Sequence, residues 1–200
     1  MQEERLLTRP RPLRQICYMG VFVAVITVCS WISIPLPWGV QFTMQTWAVA
    51  LAGVVLGPKY GLWTVLVYIL LGAIGAPVFS HFRGGLGVVL GATGGFIMTF
   101  PTMAWLAGVG AEVSSWSDAK QLPRMSVIFV ACLLAAVAIN LGLGMMWFAM
   151  ITYNTLWAAF IGAVVPFILP EIFKMVAVII VGRSIRRALK FAGIAPHSKV

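Results

Sequence analysis

Residues 125–150 read MSVIFVACLLAAVAINLGLGMMWFAM, a run from Met125 to Met150 without one charged side chain. As a helix rising 1.5 Å per residue it extends about 39 Å, enough to cross a hydrocarbon core of ~30 Å. Lipid offers no partner to the backbone, so a spanning segment must satisfy its own N–H and C=O groups, and a helix does so internally. The same reading extends outward to the other apolar blocks, Ile16–Ile34, Thr46–Leu56, Tyr60–Ile74, Thr93–Ala111 and Ile172–Gly182, the last with a hydrophobic entry from Leu156. Uncharged flanks lengthen the shorter ones. The pattern predicts an all-α integral membrane protein, one transmembrane domain over residues 1–200 with six spans.

Charge orients the spans. The chain is 61% hydrophobic, carries 14 Lys and Arg against 5 acids, and has a formal net charge of +9. Arg5, Arg9, Arg11 and Arg14 precede the first block, while Arg183, Arg186, Arg187, Lys190 and Lys199 follow the last. Short basic segments resist translocation, so both termini are expected in the cytoplasm, together with Lys59 and with Lys120 and Arg124. The expected segments are a basic cytoplasmic N-terminus (1–15), an outer loop (76–92), a cytoplasmic linker (112–124) and a basic cytoplasmic tail (188–200). Only Arg83 and Lys174 fall on the outer side, and ionisable residues that break a membrane protein's charge pattern are functional candidates. Basic residues gathered beside spans match anionic lipid and leave no solvated face for nucleic acid. The first apolar block lacks a small-residue cleavage site and precedes further spans, so it reads as an uncleaved anchor. Cys17, Cys29 and Cys132 read as apolar filler.

Several chemistries are missing from the sequence. It has no Gly-x4-Gly-Lys-Ser/Thr phosphate loop, no His-Glu-x2-His and no Gly-x-Ser-x-Gly elbow. Glu3, Glu4, Glu112 and Asp118 lie on expected cytoplasmic segments, so no carboxylate pair is available for acid–base work inside the membrane. With only His81 and His197, no metal cluster is expected and no cofactor is required. Small residues four apart, Gly53/Gly57, Gly87/Gly91 and Gly91/Gly95, read as sites of close helix approach in lipid. Gly20 and Ala24 form one more such pair in the first helix, for internal packing or for docking another membrane protein. Pro170 suits the first turn of the last helix. Glu171 and Lys174 follow it three residues apart, on one helix face. They serve either as a self-neutralising ion pair or as a site for a ligand bearing both a hydrogen-bond donor and a carboxylate, with Arg83 able to add a forked carboxylate contact. His81 reads as a loop residue at the interface. The apolar outer loop, 76–92, is expected as a partly buried cap or re-entrant segment.

These residues carry a resemblance. Ile34-Pro35-Leu36-Pro37, Phe42-Thr43-Met44-Gln45-Thr46, Leu51-Ala52-Gly53, Leu56-Gly57-Pro58-Lys59, Leu71 through Phe79 (LGAIGAPVF), Gly84-Gly85-Leu86-Gly87, Gly91 through Phe96 (GATGGF), and Pro166-Phe167 with Glu171 and Lys174 occur in the order and spacing of one family. The chain resembles the BioY family, biotin-binding S components of energy-coupling factor (ECF) importers, over nearly its whole length. The resemblance implies an S-component type fold that captures biotin from outside. It also implies as partners a transmembrane coupling subunit and two cytosolic ATPases, and the plasma membrane as location. Gly20 and Ala24 take the family's contact to the coupling subunit, with glycine where alanine is usual. Glu171 stands for the commoner aspartate and Pro170 for a usual glycine. A polar residue after the third helix meets the ureido group, a role open to Ser80, His81 or Arg83. Competing expectations are an S component for another small carboxylated vitamin and, in a different class, an intramembrane lipid-modifying enzyme.

Overall fold

Helix α1, Pro12–Trp31, ends where Ser33–Pro35 turns extended as strand β1 and pairs antiparallel with β2, Gln41–Thr43. The computed structural model describes residues 12–35, 40–114, 122–152 and 155–192. Beyond the ribbon come α2 (Gln45–Ala73), a 3-10 turn (Ser80–Phe82) and the four-residue α3 (Leu86–Val89). The chain continues through α4 (Gly94–Val113), α5 (Leu122–Thr152), α6 (Leu156–Ala163) and α7 (Val165–Phe191). Among the described residues, five helices are long and apolar enough to cross a membrane: α1, α2, α4, α5 and α7. Arg5, Arg9, Arg11, Lys120, Lys199, Pro37 and Asp118 lie outside the described residues, as do the side chains of Arg124 and Lys190.

The second of these helices is folded in two. Gly57 has φ 83° and ψ 170°, a conformation closed to most side chains, and Pro58 follows without an N–H to donate. Were α2 straight, Gln45 and Tyr68 would stand about 35 Å apart. Instead Gln45 Nε2 donates to the Tyr68 hydroxyl at 2.7 Å, so the two arms lie back to back. The arms meet through glycine. A Cβ on Gly61 would sit 2.7 Å from the Gly53 Cα, and one on Gly53 would run into the Ala104 carbonyl of α4. The apolar core grows from this junction, with Ala48, Val49, Val54, Val65 and Tyr68 of α2 packed with Phe100, Met103, Ala104 and Ala107 of α4. Gly87, by contrast, borders open space and packs nothing.

The sequence expectation of helices alone needs three corrections. The β1–β2 ribbon interrupts the helices because Pro35 biases Ile34 toward extended backbone. The hydrophobic approach to the last span is a separate helix, α6, capped by Thr155 Oγ1 accepting from the Ala158 N–H at 3.2 Å. Helix α7 begins at Val165, so Pro170 lies inside it and Glu171 belongs to the second turn rather than the first. Pro166 takes the opening turn, where a missing N–H leaves no bond unmade.

Loop 74–92 is a partly buried plug. Phe79 (1% exposed) lies against Gly72, edge-on to Tyr68 at 5.5 Å between ring centroids, whereas His81, Phe82 and Arg83 are exposed. Its carbonyls are held from two helices: Tyr68 donates to Val78 O at 2.8 Å, Ser30 to Val78 O at 2.6 Å, and Trp31 Nε1 to Pro77 O at 3.0 Å.

Because a Cβ at Gly53 would run into the α4 backbone, Gly53→Val is expected to cost at least 1–3 kcal/mol of overpacking strain. Gly20→Ala, facing open space, is expected to be neutral within about 0.5 kcal/mol. Denaturant midpoints of the detergent-purified variants measure both, and an unaltered midpoint for Gly53→Val would disprove the close crossing.

Candidate functional site

Six elements close on one cavity. The ribbon supplies Val40, Gln41 and Thr43, the first turn of α2 supplies Gln45 and Thr46, and the plug supplies Phe79 and Ser80. Opposite them stand Thr93, Phe96, Ile97 and Phe100 of α4 and its approach, Asn140 and Leu141 of α5, and Phe167, Glu171 and Lys174 of α7. The empty volume is about 600 Å³, part of it open to solvent. Apolar walls with a few converging polar groups are the usual make-up of a small-ligand site.

The polar groups form a linked set. Lys174 and Glu171 are each 4% exposed, and Lys174 Nζ donates to Glu171 Oε1 at 2.7 Å. Thr46 ties both to α2: it donates to Glu171 Oε1 at 2.9 Å and accepts from Lys174 Nζ at 3.0 Å. The ammonium also lies 4.4 Å from the centroid of the Phe42 ring. Carboxylate, hydroxyl and aromatic face together surround the cation. The carboxylate is less complete, since Glu171 Oε2 is buried without a hydrogen-bond partner. An acceptor left in that state costs about 1–3 kcal/mol, and more when it is charged. A donor arriving in the cavity would remove that cost.

The sequence candidates separate here. Glu171, Lys174 and Ser80 line the cavity. His81 does not; it is exposed, with Nδ1 3.1 Å from Gln41 Oε1, so it joins the plug to the ribbon. Its φ of 57° and the 56° of Phe82 place both in the left-handed region, uncommon for residues other than glycine. Arg83 also stays out of the lining and is exposed, although its amide bonds back to Ser80 O at 3.4 Å on the cavity wall. Gly20 and Ala24 are exposed on α1 and form no part of the cavity.

Sequence reasoning missed Gln45, Thr46 and Asn140. Asn140 is 3% exposed and donates to Phe96 O at 2.9 Å and Thr99 Oγ1 at 2.7 Å, joining α5 to α4. The signal was present: a lone amide within a 26-residue apolar run, and a Gln-Thr pair opening another, are polar groups inside membrane segments.

Similarity to known proteins agrees with this geometry. The BioY family profile matches residues 1–191. A probable biotin transporter BioY of Pyrococcus horikoshii is 36% identical over 174 residues, covering 86% of this chain and 96% of that one. The biotin transporter BioY of Thermotoga maritima is 42% identical over 120 residues, 58% of this chain and 70% of its own. Among solved structures, the S-component for biotin from an ECF-type ABC transporter superposes with a TM-score of 0.77, covering 90% of this chain and 94% of that one at 24% identity, a likeness of fold. A family match along almost the full length, on helices built to cross lipid, makes this a multi-pass membrane protein, and the chain belongs to the BioY family.

Proposed function

We propose that this chain is the biotin-binding S component of an ECF importer, a substrate-binding subunit rather than an enzyme. The observation that carries the reading is Glu171 Oε2, a buried carboxylate oxygen without a partner in an otherwise largely apolar cavity. The ureido ring of biotin presents N–H donors to such an oxygen, and its thioether ring and aliphatic chain suit walls of Phe79, Phe96, Phe100 and Phe167. Lys174 holds Glu171 in place, and Thr46 fixes the pair. The ligand's carboxylate points toward the plug, where Ser80 lines the wall and the exposed Arg83 supplies a cation. The names of the relatives support biotin over another small carboxylated vitamin.

The proposed topology counts each arm of the folded α2 as a span. That gives six crossings, leaves both chain ends cytoplasmic in the plasma membrane, and turns the plug outward. Energy comes from two cytosolic ATPases through a transmembrane coupling subunit, which docks on α1 at Gly20 and Ala24. Both residues are exposed one turn apart, and small residues let a partner's backbone approach where lipid gives no hydrophobic drive.

Calorimetry on the purified protein is expected to give tight binding of biotin and weak binding of a ring-altered analogue; equal affinity for both would remove the biotin reading. Glu171→Gln should weaken biotin by roughly 1.5–3 kcal/mol, as for hydrogen bonds to charged groups. Lys174→Ala should cost roughly 2–5 kcal/mol, because it strands a buried carboxylate. Should both variants bind like the parent, the pair is structural only.

Gly20→Trp combined with Ala24→Trp is expected to leave biotin binding near normal while co-purification with the coupling subunit falls and cellular uptake collapses. Loss of binding in step with uptake would instead assign the two residues to internal packing. For topology, a cysteine at Leu90 in a cysteine-free background should react with an impermeant maleimide added to whole cells, and one at Phe191 should not. The reverse labelling would invert the orientation.

A further inference from the structure

The plug is apolar on two sides. Phe79 and Val89 are buried in the core, whereas Phe82 and Leu86 are 64% and 61% exposed. Large apolar side chains left out together call for a cover. Backbone bonds fix where this outward pair sits. The Phe79 N–H donates to Arg83 O at 3.0 Å, closing a tight turn that sends Phe82 out while Phe79 goes in. The Gly85 N–H donates to Gly72 O at 2.7 Å, and a Cβ on Gly84 would run into the Ala76 carbonyl. The chain entering Leu86 therefore lies directly on the end of α2. Phe82 in turn lies against Trp31 at the end of α1, with 4.6 Å between ring centroids. The far end of the plug is held elsewhere, Gly91 O accepting from Trp147 Nε1 of α5 at 2.9 Å.

These side chains continue the apolar surface of the spans that carry them. Trp31 at the end of α1, and Leu70 and Ile74 at the end of α2, are exposed where two helices long and apolar enough to cross a membrane come to a close. Charge separates lipid from a second copy of the chain as the cover. Arg83 is exposed next to Phe82, and no Asp or Glu occurs between Glu4 and Glu112. A symmetric contact through this edge would bring two copies of Arg83 together, buried, with no acid from the edge to pair them. At a lipid surface the rings enter the boundary of the acyl chains while the guanidinium stays in water on its long stem. We propose that Trp31, Phe82 and Leu86 form a lipid-binding edge, which seats the plug in the headgroup–acyl boundary of the leaflet it faces. The seat does not depend on which ligand the cavity takes.

The test uses purified full-length protein in nanodiscs of phosphatidylcholine and phosphatidylglycerol, in a cysteine-free background. Single cysteines, Phe82→Cys, Leu86→Cys and His81→Cys, carry an environment-sensitive nitrobenzoxadiazole label. All three side chains are exposed, so the substitutions leave the core intact. At Phe82 and Leu86 the label should emit further to the blue than at His81 and be quenched by lipid bearing a nitroxide high on its acyl chain. Aqueous iodide should quench it several-fold less there than at His81. Because an apolar label can seek lipid by itself, unlabelled Leu86→Cys and His81→Cys are also compared for their rate of reaction with an impermeant maleimide, and Leu86→Cys should react several-fold more slowly. Iodide quenching at Phe82 and Leu86 equal to that at His81, or equal maleimide rates, would put the edge in water and overturn the proposal. Protection from both iodide and nitroxide lipid would mean a cover of protein, a second copy included, and overturns it too. Equal quenching of all three labels by nitroxide lipid would submerge the whole plug and remove the edge as a distinct surface.

Discussion

The reversal of α2 at Gly57 is the constraint on which the remaining geometry depends. Two helical arms lie in contact only because the residues facing each other, Gly53 and Gly61, carry no side chain. In lipid, where apolar side chains gain little by leaving their surroundings, such close backbone approach is a main source of association. The same junction admits α4 through Ala104. It also returns Tyr68 to the level of Gln45, bringing the start of one arm and the middle of the other to the same end of the molecule. Of the polar groups that α2 contributes to the cavity, Gln45 is held by a bond that this turn makes possible.

The chemistry of the cavity follows from burial of charge. Two opposite charges removed from water offset their desolvation cost only if their remaining lone pairs and protons are matched. Lys174 is matched on three sides, by Glu171, Thr46 and the Phe42 face. Glu171 is matched on one oxygen and not on the other. That asymmetry gives the cavity its character. A saturated cation fixes an unsaturated anion, and the capacity left over is for a donor.

A second set of bonds links the cavity wall to the segments above it. The Val78 carbonyl accepts from Tyr68 of α2 and Ser30 of α1, and Trp31 holds the adjoining Pro77 carbonyl while its ring lies 4.6 Å from that of Phe82. Thus the plug, both arms of α2 and the end of α1 share one hydrogen-bonded corner. The opposite face of α1, with Ile16, Gly20, Val21, Ala24 and Val28, remains exposed. One helix therefore anchors the cavity's cover along one side and presents small residues along another.

The sequence by itself determined the membrane character, the rough extent of most apolar helices, the family, and the Glu171–Lys174 pair. Each of these is a local property: uninterrupted hydrophobic length, a proline or glycine at a turn, two residues three apart on one helix face. Only the tertiary structure decided which of them meet. Thr46 lies 125 residues from Glu171 and 128 from Lys174 in sequence, yet bonds both. Ser80 reaches the cavity while Arg83, three residues on, does not, because two left-handed residues intervene and turn the chain outward. Gln45 bonds a phenol 23 residues away, brought beside it by the fold of α2. Spacing along one chain records what shares a helix face; a site assembled from six elements depends on how closely they approach, and that is decided where glycine lets backbones touch.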